Sequence, residues 1–398
     1  TPSNSSAASD VYKRQGILNE KDFIEIIPSL SEKAFKPGER AEADILDSHD
    51  FRYVESGEFK ANLHVHTKYS DGTAEVEELL NCGEKIGKKS NGFILAITDH
   101  DTIDGIQEAY EIYNKKSFPH LDLCLGLEIS TVGVDFPNQK KPVPIHLLVY
   151  GLNPYDEKLI EFLNDKRNKK LALAKETINE LNKSLPYNFT LEEAAKVHGM
   201  VAKGQDEVAH PMKKYTSGKI LLSHYFPNAD FSYEKPVKAF KYLFKSGEPY
   251  HKIYKKALEK YTGCELPDIP DEIEKQIQKA REIYLKAHPT VGNKIDGFAY
   301  FDETVEFITT LESGVMSVAH PARSKAYTDE FYTYLFEHFK QYGKDKALFY
   351  EGYYRSYEGE YPARWLEKID AAAQKFNLLK TGGLDSHGKD VITRCPYS

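Results

Sequence analysis

Six histidines of this chain stand with carboxylates in short clusters, each beside an apolar run. The first cluster is Asn62-Leu-His64-Val-His66-Thr-Lys-Tyr-Ser70-Asp71-Gly72. Residues two apart on an extended strand share a face, so His64 and His66 can reach one ion from the same side. Asp71-Gly72 reads equally well as a plain turn. In the second cluster, Ala96-Ile-Thr-Asp99-His100-Asp101, capping of a following helix accounts for the acids but not for His100. The third, Cys124-Leu-Gly-Leu-Glu128-Ile-Ser, sets a carboxylate inside an apolar strand, where it is costly unless a cation or a proton compensates it. Pro144-Ile-His146 opens another apolar run, a place that a satisfied core histidine also fills. The last two clusters are Ser317-Val-Ala-His320-Pro321-Ala-Arg323 and Thr381-Gly-Gly-Leu-Asp385-Ser-His387-Gly388. In the latter, two glycines let the backbone come close to a site that holds a hard carboxylate and an imidazole together. Singly each cluster is equivocal, but jointly they offer more ligands than one ion can use.

The elements that must position these residues follow from hydrophobic period. Lys60–His66, Gly92–Thr98, Leu121–Ser130 and Val143–Tyr150 read as strands, with helices over Ala74–Ile86 and Ile103–Tyr113. Lys158–Lys183 reads as a charged helix, and most of the chain to about Thr290 is helical in pattern, broken by prolines. The strand and helix rhythm returns at Glu303–Ser313, Gly314–His320, Ala347–Tyr353, Ala363–Phe376 and Leu378–Asp385. Strand, helix, strand in repetition predicts a parallel sheet, open or closed, with its chemistry on loops at the carboxyl ends of strands.

Composition excludes several classes. Lys+Arg 53 against Asp+Glu 61 gives a net charge of −8, so no basic face is available for a long nucleic-acid duplex. At 40% hydrophobic and 29% charged, the chain has no apolar stretch that could span a bilayer, and the expectation is a cytoplasmic protein without a membrane partner. Cysteines 82, 124, 264 and 395 show no Cys-x-x-Cys pairing, so any metal is to be held by imidazoles and carboxylates. The first residue is Thr, which leaves a removed export signal open, and Ser5–Gln15 looks like translated adapter read-through. Residues 1–16 are therefore set aside as a leader and 17–58 are read as a lead-in.

The set His64-x-His66, Ser70-Asp71-Gly72, Thr98-Asp99-His100, Gly-x-Glu128, His146, Ala319-His320-Pro321 and Asp385-x-His387 resembles, in order and spacing, the metal motifs of the PHP family, the polymerase and histidinol phosphatase domains. The resemblance covers about Phe59–Gly388. It implies an α/β fold, a distorted (β/α)7 barrel built from 59–151 and 300–398, with 152–299 as a helical insertion over its mouth. It also implies up to three divalent ions at that mouth. His64, His66, Glu128 and Asp385 would hold the first, Asp71, His100 and His387 the second, and Glu128, His146 and His320 the third, with Glu128 bridging. Mixed imidazole and carboxylate ligation suits Zn, Mn or Fe.

Clustered dications acidify a bridging water and clamp phosphoryl oxygens, so hydrolysis of a phosphoester by a metal-bridging hydroxide is the implied reaction. Asp99 is a candidate proton donor to the leaving group, or a group that orients a ligand histidine. Helix Asp165–Lys183, Phe189-Thr-Leu-Glu-Glu-Ala and the segment from Lys238 to Tyr250 resemble the branch of small phosphoesterases acting on nucleotide 3′,5′-bisphosphates and short oligonucleotide ends. That branch has an Arg-x-His-Ile-Ala stretch where this chain reads Lys219-Ile-Leu-Leu-Ser-His224-Tyr-Phe, which leaves His224 without the arginine as a substrate-binding candidate. Arg323, after the His-Pro pair, and Arg167, on the first insertion helix, are candidates to bind phosphate. A small phosphorylated substrate, a nucleotide in the leading reading, is the expected partner. Histidinol-phosphate phosphatase is the alternative enzyme, and a metal-binding regulatory module the alternative of another class.

Overall fold

Strand-forming apolar runs set against amphipathic helices build one mixed sheet wrapped by helices. The structure is a computed structural model that describes residues 16–30, 60–139, 142–198, 216–225, 227, 271–287, 299–321, 328–354 and 363–388. The strands are β1 (Ile17–Leu18), β2 (Ala61–Val65), β3 (Phe93–Ile97), β4 (Leu121–Ser130), β5 (His146–Tyr150), β6 (Val315–Ala319), β7 (Leu348–Tyr354) and β8 (Leu379–Gly383). The helices are α1 (Glu20–Ile26), α2 (Val76–Ser90), α3 (Asp104–Lys115), α4 (Glu157–Ser184), α5 (Leu191–His198), α6 (Thr216–Tyr225), α7 (Asp271–Ala287), α8 (Phe301–Thr309), α9 (Asp329–Gly343) and α10 (Ala363–Lys375). None of the described helices is long and apolar enough to cross a membrane.

Strands β2 to β8 lie side by side in chain order, and β1 adds to β4. The sheet is nearly closed, because Val65 and Ser386 form a parallel bridge in which His66 N donates to Ser386 O at 2.8 Å and Ser386 N to His64 O at 3.0 Å. Asn62 reinforces this seam, its Oδ1 accepting from Leu384 N at 3.0 Å and its Nδ2 donating to Ser386 Oγ at 3.1 Å.

One strand departs from the expected parallel sheet. β5 runs antiparallel to both β4 and β6, whereas the pairs β2/β3, β3/β4, β6/β7 and β7/β8 are parallel. Parallel neighbours need a crossover, usually helical, and among the described residues between β4 and β5 there is no helix to provide one. The reversal carries the start of β5, rather than its end, to the carboxyl ends of the parallel strands.

Alternation sorts the side chains between two apolar clusters. Leu95, Ile97, Leu147 and Val149 pack outward with the helices. Ala61, Leu63, Ile94, Ala96, Cys124, Leu148, Tyr150 and Phe349 form an inner cluster with Leu18, Phe23 and Ile27. Phe23, fully buried, stacks on Tyr150 at 4.6 Å and meets Phe349 edge-on at 5.3 Å. The segment read as a lead-in therefore fills the inside of the sheet through α1, whose N-terminus Asn19 caps by accepting from Lys21 N and Asp22 N. Gly16, placed in the leader, also belongs to the fold, since its carbonyl accepts from Leu123 N at 2.7 Å. Residues 1–15 of that leader, and the Lys238–Tyr250 segment, lie outside the described residues.

Candidate metal centre

Past the apolar inner cluster, the inner positions of the strands become polar. Glu128 continues the Cys124 face of β4, Glu351 the Phe349 face of β7, and His146 the Leu148 face of β5. In β2 the register shifts between Asn62 and Val65, and such an irregularity re-aims side chains. Ala61 and Leu63 thus join the inner apolar cluster, while His64 and His66 turn to the ligand groups.

Among the described residues three sets of ligand atoms gather, the atoms of each lying within 4.8 Å of one another: His64, His66, Glu128 and Asp385; His66, Asp71, His100 and His387; and His100, Glu128 and His146. In the first, Glu128 Oε2 lies 3.0 Å from His64 Nε2 and 3.2 Å from His66 Nε2, and Asp385 Oδ1 lies 3.4 and 3.2 Å from the same nitrogens. In the second, Asp71 Oδ1 is 3.1 Å from His387 Nε2 and 3.9 Å from His100 Nε2. In the third, Glu128 Oε1 is 2.8 Å from His146 Nδ1, and Oε2 is 3.3 Å from His100 Nε2. His320 also reaches Glu128, its Nε2 lying 3.1 Å from Oε1. All nine residues named from the sequence as ligand candidates thus converge. The grouping differs in that His66 also joins the second set, His100 takes the place expected for His320 in the third, and His320, which belongs to none of the three sets, is one of five imidazoles that Glu128 faces.

Backbone geometry at the site is strained where it must be. Asp101, His320 and Asp385 have φ of 53°, 28° and 50°, a region costly for residues other than glycine and found where a site dictates the conformation. Gly383 answers a different need, for a Cβ there would lie 2.4 Å from His64 Cβ and 2.9 Å from Glu351 Oε1.

Second partners aim the ligands. His64 Nδ1 faces Glu351 Oε1 at 3.0 Å, and His320 N donates to Glu351 Oε2 at 2.7 Å. With an Nδ1 proton donated to Glu351, His64 would turn its Nε2 lone pair to a bound ion. His387 does likewise, its Nδ1 lying 2.9 Å from the Asp385 carbonyl. Glu351 was not among the residues singled out from the sequence, although it shows the same signature as Glu128, a carboxylate inside an apolar strand. Asp99 has both oxygens engaged, Oδ1 by Thr67 N at 2.8 Å and Ser70 Oγ at 2.6 Å, and Oδ2 by Thr67 Oγ1 at 2.7 Å. Ser70 Oγ in turn stands 3.5 Å from His66 Nδ1.

The electrostatics fit a cation. Burial opposes ionisation of Glu128, yet His100, His64 and His146 hold its carboxyl well below the usual range. Burial also opposes protonation of His64, and the carboxylates Glu351, Glu128 and Asp385 override it and push the imidazole well up. Burial lowers His100 to about 3. Burial raises Asp99, against the hydrogen bonds from Ser70 and Thr67. His66 Nε2 is sealed from solvent and has no well-formed hydrogen bond among the described residues, although two carboxylate oxygens lie 3.2 Å away. Imidazole nitrogens and carboxylate oxygens turned toward one another in a dry site form the donor set of a divalent transition ion.

The candidates for substrate contact are less gathered. Arg167 Nη2 donates to Asn164 one turn back on α4 at 2.7 Å, and its buried Nε has no hydrogen-bond partner among the described residues. His224, exposed on α6, lies 2.7 Å from Glu193 of α5 and belongs to none of the three ligand sets. Arg323 lies outside the described residues.

The model of the PHP domain family matches residues 62–294, more than half of the chain, and the chain belongs to that family. The match ends before His320, Asp385 and His387, so these three enter the centre through the fold rather than through the matched span. Among solved structures, the chain is similar to a presumed metal-dependent phosphoesterase from Bifidobacterium adolescentis, with 20% identity, a TM-score of 0.47, and 83% of this chain and 88% of the other covered. It is also similar to an amidohydrolase from Chromobacterium violaceum with sulfate bound, with 17% identity, a TM-score of 0.48 and the same shares covered. At that degree of likeness neither bears on what this chain does. No curated protein matches the chain.

Proposed function

We propose that this chain is a metal-dependent phosphoesterase that releases phosphate from small phosphorylated substrates, nucleotide 3′,5′-bisphosphates or short oligonucleotide ends in particular. The observation that supports this reading is the sharing of ligands: His66 belongs to the first and second sets, Glu128 to the first and third, and His100 to the second and third. Shared donors suit a cluster of up to three Zn, Mn or Fe ions rather than isolated ones.

Bound divalent ions would acidify water and withdraw charge from a phosphoryl group. The side chains do the rest. Glu128, buried among five imidazoles, holds the sets together, and Glu351 fixes the tautomer of His64. Asp99, its oxygens occupied by Thr67 and Ser70, acts in this reading through Ser70 on the orientation of His66 rather than on the leaving group. Arg323, three residues beyond His320, and Arg167 are assigned to substrate phosphate.

Phosphate release after reconstitution with Mn or Zn tests the proposal, using adenosine 3′,5′-bisphosphate, histidinol phosphate and an aryl phosphate. Fastest turnover of the bisphosphate is expected. Preference for histidinol phosphate would replace the substrate assignment, and bound ions without turnover of any phosphoester would leave a metal-binding module.

A further inference from the structure

We propose that Lys166 and Lys170 are positioning residues that fix the geometry of the metal centre through Asp101. The two lysines sit one turn apart on α4 and are only 3% and 8% exposed, and Asp101 is 5% exposed. Lysines are almost never so buried unless paired. Here both pair with one carboxylate, Lys166 Nζ lying 2.7 Å from Asp101 Oδ1 and Lys170 Nζ 2.5 Å from Oδ2.

The clamp bears on two ligands together. Asp101 directly follows His100 and holds a left-handed backbone with φ of 53°. Its Oδ1 also accepts from Ser130 N at 3.0 Å, and Lys166 donates in addition to the Ser130 carbonyl. Between these points the backbone is laced to β4, with Glu128 N donating to Asp99 O at 3.1 Å and Asp101 N to Glu128 O at 2.9 Å. His100 and Glu128, both members of shared ligand sets, therefore stand on two segments locked by the same three side chains. Through this lock the seat of α4 on the sheet and the geometry of the centre are set by the same contacts.

Charge and geometry make opposite predictions for this clamp. Two ammonium groups on one carboxylate leave an excess positive charge beside a site for cations, so by charge alone removing a lysine strengthens ion binding. If the lysines act by position, removing one weakens it. This inference rests on His100 being a metal ligand.

Co2+ titration of the full chain, followed by its visible absorption, separates the cases. Lys170→Met and Lys166→Met are expected to weaken Co2+ binding by about 10–100-fold, the usual effect of losing an outer partner of a ligand, and to lower kcat with KM little changed. Lys170→Arg, which keeps the cation, is expected to restore wild-type binding. Unchanged or tighter Co2+ binding by both Met variants overturns the proposal while leaving the metal centre standing. A wild-type chain that binds no Co2+ overturns both. Should the Met variants fail to fold by circular dichroism, Lys170→Gln, which removes the charge but keeps a polar end, carries the same two outcomes, weaker binding in support and unchanged or tighter binding against.

Discussion

Replacing Glu351 by glutamine probes how far the centre depends on a group that binds no ion itself. The carboxylate receives His64 Nδ1 at 3.0 Å and His320 N at 2.7 Å, both buried. Glutamine keeps the shape and one good acceptor but not the charge, so one of the two bonds is lost and the other becomes neutral. A hydrogen bond to a charged group contributes about 1.5–3 kcal/mol, and each 1.4 kcal/mol is about tenfold in an equilibrium constant. The ion held by His64, His66, Glu128 and Asp385 should therefore bind about 10–100-fold more weakly. Competition with a chelator of known affinity measures this directly. Glu351→Ala should go further, because it strips the acceptor from a buried N–H at a residue whose φ is 28°, and lower unfolding stability by about 1–3 kcal/mol for each donor left bare. Wild-type ion affinity in Glu351→Gln would refute the reasoning.

Gly383→Ala is expected to push β8 away from β2, since the added Cβ meets the stem of His64 rather than a flexible end; loss of both thermal stability and bound ions should be seen, and an unperturbed variant would contradict the packing argument. Removal of ions with a chelator should lower stability in denaturant titrations by about 2.7 kcal/mol for each ion present at 100 times its Kd. The ion-free protein should also lose stability in acid through His100. Its folded pKa, about 3, lies below the unfolded value near 6.5, so the unfolded chain binds the extra proton and stability falls as pH drops from about 6.5 toward 3. Urea titrations at several pH values, compared with His100→Asn, should show that part of the slope vanish in the variant.

What could be read from the sequence was what depends on local period and residue chemistry. His64 and His66 share a face because they lie two apart, and Glu128 announces itself as a carboxylate that an apolar strand cannot hold alone. His146 opens its strand whereas the other ligands stand toward or past the ends of theirs, and its arrival at the same mouth required the antiparallel direction of β5, which no local pattern encodes. Glu351 carries the mark of Glu128 but has no polar cluster beside it, and its role exists only once β7 brings it against His64. Phe23 looks like one apolar residue of a mixed lead-in until the inner face of the sheet needs filling. Lys166 and Lys170 are two among many lysines of a helix read only as charged; their burial depends on where α4 lands, at Asp101.

Elemental analysis of the reconstituted protein tests most directly whether the three ligand sets form one ion cluster. The account predicts more than one Mn or Zn per wild-type chain, and fewer in Glu128→Gln, whose altered side chain touches two of the three sets. One ion or fewer per wild-type chain, or an unchanged content in the variant, would contradict it.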